Sequence, residues 1–140
     1  MSRAIFDSHI HFWDPSQIGF EWLSSVPLFD RAYLPADLLA QSAAFDLEGI
    51  IFVEADCLPA DAIREAEWVT SLAALEPRIQ GIVAHAPLEI GAAVNDHLAT
   101  LATMPLVKGV RRLIQSEGLG FCVQPAFVEG VQQLPAHGLS

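Results

Sequence analysis

GIIFVEA, residues 49–55, is apolar at five consecutive positions and then carries an acid. A strand with one wet face alternates apolar and polar residues, whereas an uninterrupted apolar run suits a strand covered on both sides, as in a parallel sheet sheathed by helices. The flanks agree. From about Asp61 the residues Ile63, Ala66, Val69 and Leu72 recur at helical spacing, with Pro77 just past the end of the predicted helix.

The same β-then-α unit is read four times. The first strand is predicted from about Ala4 to Trp13, and after a loop rich in Trp, Pro and Ser a helix begins near Pro35 and turns Leu38, Leu39 and Ala43 inward. Ile79 to His85 reads as the third strand, followed by a helix carrying Val94, Leu98 and Leu101. Leu106 to Leu113 reads as the fourth, followed by a Gly-containing loop and a last helix with Phe127, Val131 and Leu134 near its inner face. Strands alternating with helices imply an α/β fold with a parallel sheet, because parallel neighbours need a crossover and a helix supplies it. Either an open doubly wound sheet or a (β/α)8 barrel accommodates this order. No Gly-rich phosphate loop follows any strand, so nucleotide binding of the open-sheet kind has no support.

Composition narrows the partners. The net charge is −10, from 17 acidic and 7 basic residues, so the chain repels phosphate backbones and anionic lipid heads, and neither nucleic acid nor membrane is an expected partner. Hydrophobic residues make up 52% and charged ones only 17%, more apolar material than a small globule needs, which fits a well-filled small core, an oligomer or part of a larger barrel. Cys57 and Cys122 stand alone and are expected to be buried thiols in a reducing compartment, with the cytoplasm as the default location. One domain is expected over residues 1–140.

The chemistry gathers where the strands end. In FDSHIHFWDP, residues 6–15, strand alternation sets Asp7, His9 and His11 on one face and Phe6, Ser8, Ile10 and Phe12 on the other. Two imidazoles at i and i+2 can converge on one divalent ion, with Asp7 orienting an imidazole from behind, although HxH also occurs in strands without function. Glu54 ends the second strand and can bind metal, orient a ligand or simply meet solvent. His85 ends the third, with a plain reading as a polar loop-edge residue. KGVRR, residues 108–112, holds three of the seven cations; Arg111 and Arg112 must point to opposite faces, one able to clamp a carboxylate in the interior and the other to pair with acids on a helix. Trp22, in the long loop after the first strand, is a pocket-wall candidate or a packed aromatic.

DSHIHFWDP, the EWL that follows, the VEA ending strand two, EAEWV in helix two, GIV in strand three and KGVRRLIQ together resemble the amidohydrolase superfamily, in its branch of metal-dependent hydrolases with a TIM-barrel fold. That branch includes lactonases acting on sugar-acid lactones and relatives acting on pyrone or muconate lactones. The resemblance implies that His9 and His11 are strand-one metal or substrate ligands, that Glu54 sits beside the site as a catalytic residue, and that Arg111 binds substrate; Trp22 and His85 remain substrate-binding candidates by position alone, with nothing carried over to His85 from the family. It implies a divalent metal, zinc in the first instance, and a small lactone or carboxylate as partner. A complete barrel takes about 250 residues, so the 140 residues are expected to be its amino-terminal half, four βα units with activity residing in the whole barrel. The rival readings are a decarboxylase of the same superfamily, and an inert half barrel that pairs its open edges with a partner or with itself as a homo-oligomer.

Overall fold

A computed structural model describes residues 4–140. Four strands, β1 (Ala4–Ile10), β2 (Asp46–Val53), β3 (Ile79–His85) and β4 (Val107–Arg111), lie in the order β1-β2-β3-β4, and every neighbouring pair is parallel. They alternate with helices α1 (Pro35–Gln41), α2 (Ala62–Leu75), α3 (Asn95–Ala102) and α4 (Pro125–Gln133). A doubly wound sheet reverses strand order at its switch point, while a barrel keeps consecutive strands adjacent. The consecutive order therefore decides the question left open by the sequence: this is half of a (β/α)8 barrel.

The core lies between the sheet and its helices. Ile50, Phe52 and Ile82 are fully buried against Ala66 and Val69 of α2 and Leu98 and Leu101 of α3. The register places Phe6, Ile51, Val53 and Val83 on the opposite face, where Phe6 is 51% exposed. Burial of the first face supplies the driving force; at roughly 25 cal/mol per Å² of apolar area, a fully buried Leu or Phe contributes on the order of 1.5–3 kcal/mol. Two glycines mark close approaches. A Cβ on Gly130 would lie 1.9 Å from the Leu88 carbonyl oxygen, so α4 can press onto the short helical segment Leu88–Val94 only because that position is bare. A Cβ on Gly109 would lie 2.6 Å from Ser140 O. Ser140 donates to Lys108 O (3.2 Å) and accepts from Val110 N (2.8 Å), the bonding of a parallel neighbour, so the outer edge of β4 is not bare as expected.

Other expectations shift. The first strand stops at Ile10 because Trp13 turns away to form an antiparallel bridge with Tyr33. The fourth is shorter than read, ending at Arg111. Leu38 packs on the core, but Ala43 lies beyond the end of α1 and is exposed. In α4 Phe127 packs inward while Val131 is exposed, its expected place at the contact taken by Gly130. Cys57 is buried but Cys122 is exposed, in the short helical turn Phe121–Val123. No helix among the described residues is long and apolar enough to cross a membrane.

Candidate functional site

A register shift between Asp7 and Ile10 breaks the simple alternation of β1. Ile10 and Phe12 face the helix-covered core, leaving His9 and His11 for the other side, but Asp7 lines a groove against Leu38 and Gln41 of α1. Asp7 is thus not behind an imidazole; its Oδ1 accepts the backbone amide of His9 (3.1 Å) and braces the shift. The two imidazoles meet edge to face with centroids 4.9 Å apart.

His11 Nδ1 lies 2.8 Å from Val53 O. A carbonyl only accepts, so Nδ1 carries the proton and Nε2 keeps its lone pair. Burial holds the His11 pKa below the usual histidine value, which the bond to Val53 opposes and the neighbouring Arg111 reinforces. A neutral ring whose N–H is fixed by a backbone carbonyl is the form in which histidine ligates metals. His11 is therefore chemically able to serve as one ligand of a divalent ion. Among the described residues no group of three or more His, Cys, Asp or Glu side chains could hold such an ion.

Glu54 is not in solvent: it is 0% exposed. Its Oε1 accepts Arg111 Nε at 2.6 Å and its Oε2 accepts the Asp56 amide at 2.8 Å. Arg111 also donates through Nη2 to the Glu54 carbonyl, which fixes the guanidinium across the end of β2. Both oxygens of Glu54 being engaged, its present work is to aim Arg111. Trp22 donates its indole N–H to Ala55 O at 2.9 Å.

His11, Trp13, Trp22, Phe29, Asp56 and Arg111 surround a cavity of about 370 Å³ at the carboxyl end of the sheet, where barrel enzymes build their active sites. Trp13 packs edge to face on both Trp22 and Phe29, making a mostly aromatic wall opposite one cation. His85 lies outside this cavity. It lines a neighbouring one of about 210 Å³ with Glu21, Glu89 and Arg112, and Trp22 and Asp56 border both. Burial lowers the His85 pKa, with Glu54 opposing. Arg112, just past the end of β4, pairs with Glu89 (2.9 Å) and Glu117 (2.6 Å).

Sequence reasoning passed over two acids. Glu65 is 1% exposed and accepts the Ala55 amide at 3.1 Å. It falls between Ala62, Ala66 and Val69 on the buried stripe of α2, so its helical position was a readable signal. Asp56 has φ +58, the one non-glycine residue among those described with a left-handed backbone, and nothing in the sequence announced it.

The architecture is half of a (β/α)8 barrel, with its candidate site at the carboxyl ends of the strands. No family model and no curated protein matches the chain. Solved structures do. An amidohydrolase 2 from Bifidobacterium longum subsp. infantis aligns with TM-score 0.73 and 24% identity over 99% of this chain and 50% of its own. An amidohydrolase from Burkholderia multivorans, with bound zinc, aligns with TM-score 0.72 and 25% identity over 99% of this chain and 47% of its own. A probable 2-pyrone-4,6-dicarboxylic acid hydrolase from Acinetobacter baumannii, with citric acid bound, gives TM-score 0.67 and 13% identity over 98% and 47%. The chain spans about half the length of the structures it matches.

Proposed function

We propose that this chain supplies the histidine and arginine half of a divalent-metal-dependent hydrolase that opens a lactone, and that turnover belongs to the complete barrel. The observation that carries the reading is the convergence of His11, whose ring meets that of His9, with Arg111 in one aromatic-walled cavity that His11 and Arg111 line at the carboxyl ends of the strands. The zinc in the Burkholderia structure and the cyclic diacid named for the Acinetobacter hydrolase support the ion and the substrate class.

His9 and His11 would hold the ion, and the chemistry it supplies when bound is polarisation of an ester carbonyl and acidification of water. Arg111, held on Glu54, presents its outer edge to a substrate carboxylate, a pairing that guanidinium geometry favours. Trp13 and Trp22 offer flat faces to a planar ring and exclude water from it. Two free cysteines agree with a cytoplasmic setting.

The test uses the barrel completed by its second half. Replacing both His9 and His11 with alanine is expected to abolish acid release from carboxylated lactones while the protein stays folded. Unchanged turnover would refute the assignment, and carbon dioxide release in place of lactone opening would transfer the site to a decarboxylase.

A further inference from the structure

The turn that ends β2 makes an unusual number of bonds to the site. Three consecutive carbonyls, of Val53, Glu54 and Ala55, each accept a side-chain donor from a different element: His11 Nδ1, Arg111 Nη2 and Trp22 Nε1. The amides of the same turn are taken as well. Glu54 N continues the ladder to Val83 O, Asp56 N is held by Glu54 Oε2, and Ala55 N is held by Glu65 from α2. Past Glu54 the ladder is over, and Asp56 adopts a left-handed backbone that an L-residue keeps only when its surroundings enforce it.

We propose that Glu65 is a positioning residue: its carboxyl, anchored on the Ala55 amide, sets the turn whose carbonyls aim His11, Arg111 and Trp22 into the cavity. The consequence for catalysis rests on the hydrolase reading; the geometry does not. Glu65 is the link from helix α2 to this turn, and without it the Ala55 amide is an orphan donor in a buried position. The charges around it are Glu54 and Arg111 from the strand ends, with the Cys57 thiol beside it and Asp61 next beyond that thiol. Arg111 is already engaged by Glu54, so among the described residues Glu65 has no cation of its own. Burial first, and then the charge of Glu54, push its pKa up to about 8, against the bond from Ala55. A neutral acid at this point accepts the amide without placing a second charge beside Glu54.

The three tryptophans give a direct readout. Trp22 is tied to the turn through Ala55 O, while Trp13, in the same cavity wall, donates instead to Phe29 O at 3.0 Å. In ¹⁵N-edited NMR of this chain, with Trp22→Phe used to assign the indole signals, Glu65→Ala is expected to shift the Trp22 indole proton and speed its exchange, while the exchange of the Trp13 indole proton, bonded to Phe29 O, stays at its native rate. Glu65→Gln, which keeps a neutral acceptor, is expected to restore the native signal. Wild-type protein taken through pH 8 should show the same selective Trp22 shift, and Glu65→Gln should not. Should Glu65→Ala fail to fold, the titration and the Gln variant carry the test. An unchanged Trp22 exchange rate, or an equal acceleration at Trp13 as in general loosening, overturns the proposal. Because no substrate is involved, a selective Trp22 response alongside a completed barrel that opens no lactone would sink the hydrolase reading and leave this one standing.

Discussion

Arg111 and Arg112 are neighbours in sequence, alike in charge, and opposite in fate. Arg111 turns into the barrel side and bonds a carboxylate that is fully buried, then the backbone beside it. Arg112 reaches two acids that remain partly wet, Glu89 and Glu117, and lies over the ring of Phe121 at 5.0 Å. One arginine organises a site and the other staples a loop. The difference is set by what each would leave behind: a buried charge stripped of its partner has no water to turn to, and a half-exposed one does.

The largest expected effect follows directly. Arg111→Ala leaves Glu54 at 0% exposure without its cation, and loss of one member of such a pair costs about 3–5 kcal/mol. Urea unfolding of variant against parent measures it; a loss near 1 kcal/mol, within the range of a surface pair, would erase the distinction between the two arginines. Next in size is a contrast in pH dependence. Glu65, with its folded pKa raised to about 8 chiefly by burial, favours the fold fully below the ordinary carboxylate range, and this contribution is lost as pH rises toward 8. Glu89 behaves in the opposite sense. Its burial resists ionisation, but the bonds from Arg112 prevail and leave its pKa below the usual value, so its contribution is present at neutral pH and lost on acidification. Glu65→Gln should therefore flatten the alkaline decline in stability and leave the acid limb alone, while Glu89→Gln should do the reverse. Denaturant midpoints taken from pH 4 to pH 9 read both limbs.

Much of this was legible. The third strand is found where it was read, Ile79–His85, because an apolar run between Pro77 and Pro87 has few alternatives. That the two arginines would take different partners was read from strand alternation, although β4 ends at Arg111 and Arg112 lies just beyond it. What could not be read depends on partners far away in sequence. The bridge from Trp13 to Tyr33 cuts the first strand short, and the shift after Asp7 turns that acid onto α1. The bond between Glu54 and Arg111 joins two strand ends, and neither residue's surroundings announce it. Backbone carbonyls carry no sequence signature at all, yet three of them aim the site. Glu65 is a different case, since an acid on the buried stripe of α2 contradicts the pattern around it, and such a contradiction is where function or strain is to be sought.

The smallest effect belongs to Arg112. Its side chain is 16% exposed and its two acids 29% each, so truncation lets both carboxylates hydrate in place. Arg112→Ala is expected to cost about 1 kcal/mol or less, plus a modest share for the contact with Phe121. The loss should shrink further in about 0.5 M salt, where exposed pairs are screened over a few ångströms and buried ones are not. Arg111→Ala should show no comparable salt dependence. Paired urea titrations at low and high salt therefore separate the two arginines by a second criterion, and equal salt sensitivity would mean that water reaches Glu54 after all.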